Sequence, residues 1–155
     1  NSTVALAAPT RIGKSLIVLA AAAIMGGVTI VVKPLMMVAL DQLWEYLIAM
    51  QIAHQKRMRG VHLDSLDPDA QARLWHALRS LKDRRDMTMV IFTSPESFEK
   101  YKEWGKMVRE LSEKDLIRLA VLDEVHVYIQ DRHYRSTMTR LKEIFSILSI
   151  ARSSA

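Results

Sequence analysis

The sequence predicts an α/β fold: three layers, with a mainly parallel β-sheet carrying helices on both faces. Three observations lead there. Residues 28–32, 87–92 and 117–122 are short, nearly continuous apolar runs, the pattern of strands covered on both faces in a parallel sheet. Segments of helical period lie between them, so strand and helix alternate as βαβ units. Half of the 155 residues are apolar, enough to bury one core, so one domain spanning 1–155 is expected.

The elements follow in order. Residues 3–7 form a first strand and residues 14–25 a first helix. From Ser15 to Val32 the chain runs 18 residues without a charge, the lower edge for a membrane-spanning helix. The Gly26-Gly27 pair divides that stretch into an Ala/Leu/Ile-rich helix former and a β-branched run. A buried helix followed by a buried strand is therefore expected, and no membrane partner. Pro34 opens a long apolar helix over 35–53. Asp67 reads as an N-cap and Pro68 as the first residue of an amphipathic helix reaching about Leu81. A strand over 87–92, a charged helix over 97–111, a strand over 117–122 and an amphipathic helix over 135–150 complete the chain.

Composition excludes several chemistries. The chain has no cysteine, so disulfide scaffolds, zinc knuckles and thiol nucleophiles are ruled out. No positively led apolar leader opens it, which fits an intracellular protein, and the absence of an initiator Met suggests a piece of a longer one. With 22 Lys+Arg against 17 Asp+Glu, the formal charge of +5 permits a polyanionic partner.

Two separated motifs carry the chemistry. The first is Ala8-Pro9-Thr10-Arg11-Ile12-Gly13-Lys14-Ser15, which has the Gly-Lys-Ser ending of a phosphate-binding loop. Backbone N–H groups of such a loop and the helix start after it form a concave anion site. Ala8, Thr10, Gly13, Lys14 and Ser15 are the candidate nucleotide contacts, with Lys14 on the β- and γ-phosphates and the Ser15 hydroxyl on Mg²⁺. Arg11-Ile12 stands where many such loops carry glycine, and a β-branched residue does not take positive φ cheaply. The second motif is Val121-Leu122-Asp123-Glu124-Val125-His126, an apolar strand ending in two carboxylates. Asp123 is the candidate Mg²⁺ ligand, and Glu124 the residue that orients or deprotonates an attacking water.

Other residues have simpler expectations. His54, His62 and His76 lack the spacing of a metal pair and are expected on surfaces or helix faces. Met36, Met37 and Met50 are expected to fill core. Trp44, Trp75 and Trp104 fall in helical patterns and are expected to be buried, while Arg79, Lys82, Arg84 and Arg85 read as a solvated helix end.

Taken together, the loop at 8–15, Val31-Val32-Lys33-Pro34-Leu35 continuing to Asp41-Gln42, Phe92-Thr93-Ser94-Pro95-Glu96 and the Asp123-Glu124-Val125-His126 box resemble motifs I, Ia, Ib and II of superfamily 2 helicases. The Pro-Leu with Asp-Gln, and the Asp-Glu-x-His box, are most similar to the RecQ group; Arg152-Ser153-Ser154-Ala155 sits where motif III would fall. The resemblance implies a P-loop NTPase of RecA-like fold, the first of two such lobes, with the second elsewhere in the full-length protein. It implies an ATP-dependent 3′→5′ DNA helicase acting in repair or recombination, in the nucleus if eukaryotic, with ATP and Mg²⁺ as cofactors and a DNA single strand or fork as partner. On this resemblance Lys14, Asp123 and Glu124 serve hydrolysis and His126 couples the nucleotide site to the DNA side. Lys33, Pro34, Thr93, Ser94, Glu96, His133 and Arg135 would lie along the nucleic acid. Gln130, His133, Tyr134 and Arg135 are similar to the family's aromatic-rich coupling loop, although Asp131 stands where that loop normally carries Trp. An isolated lobe is not expected to unwind DNA. The alternatives are a remnant that binds nucleotide or nucleic acid without hydrolysis and, third, a membrane-anchored soluble domain.

Overall fold

The computed structural model describes residues 14–33, 58–83 and 87–123, together with the helical positions Thr139, Lys142 and Ser146. The expected strand at 3–7 and helix at 35–53 lie outside the described residues, as does most of the helix expected at 135–150. The described chain runs α1 (Lys14–Met25), β1 (Gly27–Val32), β2 (Met58–His62), a 3₁₀ turn (Leu63–Ser65), α2 (Pro68–Ser80), β3 (Thr88–Thr93), α3 (Ser97–Lys100), α4 (Lys102–Glu113) and β4 (Ile117–Leu122). The four strands form one sheet in the order β2-β3-β1-β4. Every pairing is parallel, with Ile30 opposite Ile91 on one side of β1 and opposite Ala120 on the other. The protein is thus α/β with a parallel sheet.

Both faces of the sheet are covered, each by its own cluster of side chains. Val28, Ile30 and Val32 of β1 and Met89 and Ile91 of β3 point to the face packed by Leu74 and Leu78 of α2 and by Trp104, Met107, Val108 and Leu111 of α4. The alternate residues Val31, Val90 and Phe92 point to the other face, against Leu19 and Ala22 of α1. This explains the lack of polar alternation along β1 and β3: all six residues of each strand are buried. Ile17 and Ile24 on the outer side of α1 are exposed, at 52% and 83%. Among the described residues no helix is long and apolar enough to cross a membrane; the uncharged run 15–32 is instead a helix, a turn and a strand.

That turn depends on glycine. Gly26 and Gly27 have φ of 65° and 68°, a region that costs other residues about 1–2 kcal/mol each. Gly26 closes α1 by donating to the Ala22 carbonyl (2.9 Å), and the Gly27 N–H already joins the sheet side by donating to Met87 (3.2 Å). At α2 the expected cap is present: the Asp67 carboxylate accepts from the Ala70 N–H at 2.7 Å, with Pro68 in the first turn. Such a cap contributes about 1 kcal/mol.

Two elements differ from the sequence expectation. Residues 58–62 are a strand, β2, at the edge of the sheet. Its sequence, Met58-Arg59-Gly60-Val61-His62, has little apolar signal because it pairs only with β3 among the described residues. His62 accordingly lies at a strand end and is buried, neither on a surface nor on a helix face. The helix expected over 97–111 is two helices, broken where Tyr101 takes an extended conformation (φ −114°, ψ 93°). The break has a physical cause on each side. Ser97 is tied to Asp64, while Trp104, Met107, Val108 and Leu111 need one continuous stripe facing the sheet; the change of direction at Tyr101 satisfies both.

Candidate functional site

In an open parallel sheet, the side chains that follow the carboxyl ends of the strands are the ones a ligand meets. Here they form a polar row: Asp64 in the 3₁₀ turn after β2, Thr93 ending β3 with Ser94 after it, Lys33 after β1 and Asp123 after β4. The ladder runs on to these positions, since Lys33 N–H donates to the Thr93 carbonyl (2.9 Å) and Asp123 N–H to the Val32 carbonyl (3.0 Å). The backbone therefore fixes where their side chains start.

The centre of the row is an ion pair. The Lys33 ammonium lies 3.0 Å from the Asp123 carboxylate, with the lysine side chain 7% exposed and the aspartate 23%. The same ammonium lies 5.9 Å from the centroid of the Phe92 ring, within reach of a cation–π attraction. A buried cation needs an opposite charge beside it, and the Asp123 carboxylate lies there.

Toward the sheet edge the row becomes a closed hydrogen-bond cluster. The Asp64 carboxylate accepts from the Ser94 N–H (3.0 Å), the Ser94 hydroxyl (3.4 Å) and the Ser97 hydroxyl. The two hydroxyls lie 3.0 Å apart, and both serines are fully buried. Beside them, His62 Nδ1 is 2.6 Å from the Ser65 hydroxyl. Burial holds the His62 pKa below its ordinary 6.5, partly opposed by the negative charge of Asp64.

That direction sets a pH dependence. Folded His62 stays neutral while the unfolded chain takes up its proton near pH 6.5, so unfolding binds a proton in the interval below that value. Stability is greatest above about pH 6.5 and falls as the pH drops below it, until the lower folded pKa is passed and this contribution stops changing. Comparing urea midpoints of the wild type and His62→Gln from pH 7.5 to 5 checks it. The wild-type advantage should shrink toward acid; a constant difference across that range would exclude the mechanism.

The expected site residues are partly brought together. Lys33, Thr93, Ser94 and Asp123 share one end of the sheet. Of the residues expected along a nucleic acid, Lys33, Thr93 and Ser94 are buried and Glu96 is exposed. Ser94 gives its amide and hydroxyl to Asp64, so within the described cluster it pins a turn. Lys14 and Ser15 begin α1. Ala8, Thr10, Gly13, Pro34, Glu124, His126, His133 and Arg135 lie outside the described residues.

The position of the α1 start follows from the backbone. Gly26 alone separates α1 from β1, so the helix runs back along the sheet opposite to the strand. Its 12 residues span about 18 Å and the six of β1 about 20 Å. The first turn of α1, at Lys14 and Ser15, therefore lies at the same end of the sheet as Lys33 and Asp123. Residues that sequence reasoning passed over are Asp64 and Ser97, whose pairing depends on β2 lying beside β3. The fold and this row define an α/β protein with its polar groups gathered at the carboxyl end of a parallel sheet. No protein-family model matches the chain, and no curated protein does.

Proposed function

We propose that this chain is the nucleotide-binding lobe of an ATP-dependent, RecQ-like DNA helicase, working with a second RecA-like lobe in a longer protein. One observation carries the reading: the helix start formed by Lys14 and Ser15 and the strand end that bears Asp123 lie at one end of a parallel sheet, although about a hundred residues separate them in the chain. A helix N-terminus attracts phosphate through its unpaired N–H groups and dipole. A partly exposed carboxylate nearby suits a hard divalent cation that takes oxygen ligands and otherwise keeps water and phosphate.

In this reading Lys14 and Ser15 hold the phosphates and Mg²⁺, with Asp123 as the protein carboxylate for the metal. The bound Mg²⁺–ATP supplies the phosphoryl group and the charge neutralisation that its transfer requires. Glu124 and His126 keep the roles that the resemblance implies, as do Pro34, Glu96, His133 and Arg135 toward a DNA strand, whereas Lys33, Thr93 and Ser94 are buried and serve the end of the sheet itself. The burial of Lys33 in an ion pair with Asp123 favours one alternative, a lobe that binds nucleotide or nucleic acid without hydrolysing.

The test is Mg²⁺-dependent binding of a fluorescent ATP analogue to the wild type, Lys14→Ala and Asp123→Ala. Each substitution should weaken binding by about tenfold or more, the equivalent of at least one charge-assisted contact. Binding that ignores both substitutions would reject the nucleotide site. Turnover by a two-lobed protein would then separate the motor from the non-hydrolysing alternative.

A further inference from the structure

We infer that Lys33 is an internal competitor for the metal position at Asp123: its ammonium and a divalent cation bid for the same carboxylate. The proposal rests on the reading of Asp123 as a metal ligand and adds a residue to it. Lys33 follows β1 and Asp123 follows β4, adjacent strands whose parallel register sets Val32 opposite Leu122. One step past those partners, the two side chains meet at 3.0 Å between Nζ and Oδ2.

Three features hold the ammonium there. Its backbone N–H is fixed to Thr93 in the sheet. Its side chain is 7% exposed, so little water competes for it. The Phe92 ring lies 5.9 Å away, adding a second attraction for the cation. A divalent ion approaching Asp123 meets this positive charge at contact distance in a site of low effective dielectric, where like charges repel more strongly than in water. The Coulomb cost falls directly on metal affinity.

Lysine thus tunes Asp123 through its charge at the shared carboxylate, and it acts as a positioning residue. Its removal should make the carboxylate a better metal ligand, the opposite of what loss of a nucleic-acid contact or a purely structural contact would do.

The experiment is a Mn²⁺ titration, followed by the electron paramagnetic resonance signal of the free ion, on the whole 155-residue chain and its variants, each checked for native circular dichroism. Lys33→Met should bind Mn²⁺ about tenfold more tightly than the wild type, as removal of one neighbouring positive charge implies. Lys33→Gln should do likewise and guards against a packing defect peculiar to Met. Lys33→Arg, which keeps the charge, should stay near wild type, and adding Asp123→Asn to Lys33→Met should abolish the gain. Equal or weaker binding by folded Lys33→Met and Lys33→Gln overturns the proposal. If Asp123→Asn still weakens Mn²⁺ binding in that case, the metal role of Asp123 survives alone. If Asp123→Asn matches the wild type as well, both fall.

Discussion

Replacing Trp104 with alanine should destabilise the protein by about 3–5 kcal/mol, the usual cost of truncating a large buried aromatic. Trp104 is fully buried. Its ring stacks on Trp75 of α2 at 5.8 Å between centroids and meets Phe98 of α3 at 5.7 Å. One side chain therefore joins three helices on the same face of the sheet, and no single neighbour can collapse into its volume. Domains of this size are stable by about 5–15 kcal/mol in all, so the alanine variant should be largely unfolded at modest urea concentrations. Trp104→Phe should be much milder. Among the described residues the indole Nε1 is buried with no hydrogen-bond partner, and removing an unsatisfied N–H offsets part of the lost volume. Urea midpoints give both values. Equal losses for the two variants would show that the interior tolerates neither shape.

The second large effect concerns Asp64. Substituting alanine leaves Ser94 N–H and the Ser94 and Ser97 hydroxyls without the carboxylate they share. A buried polar group deprived of its partner costs about 1–3 kcal/mol, and the hydrogen bonds lost are charge-assisted ones. The two hydroxyls keep their mutual contact at 3.0 Å, which limits the loss to about 3 kcal/mol overall. Asp64→Asn retains one acceptor and should lose about half as much. Because Asp64 ties the turn after β2 to the turn after β3, hydrogen exchange at Ser94 should rise in the alanine variant before that of the β1 amides. Uniform acceleration across the sheet would assign Asp64 a global role.

The strands most evident in the sequence were those with both faces covered. The ends of β1 and β3 fall within a residue of the apolar runs because burial on two sides removes the polar alternation that would blur them; β4, last in the described order and only partly buried, still coincides with its apolar run at 117–122. Edge strand β2 was hidden by Arg59, Gly60 and His62, residues an edge position tolerates. The division of the helix at Tyr101 was equally hidden. The first of the two helices starts at Ser97, which is bonded to Asp64, 33 positions earlier in the chain, and helical period carries no record of such a contact. The site divides similarly. Asp123 stood out as a carboxylate closing an apolar strand, and Lys33 as a charge closing another. That the two meet depends on β4 pairing with β1, which requires the strand order and not the strands alone.

The place of β1 in that order matters before the fold exists. It is the earliest of the four strands to leave the ribosome, yet both of its edges wait for later ones: Gly27 for Thr88 in β3, and Val28 for Ile117 in β4. Synthesis proceeds at about 5–20 residues per second, so a ribbon of Val, Thr and Ile stays without its pairing partners for several seconds in every round of translation. Distant parallel pairing is slow to form and exposes sticky edges while it does. Slowing the translation of residues 34–87 should lower the soluble yield, and a chaperone that shields extended apolar segments should restore it.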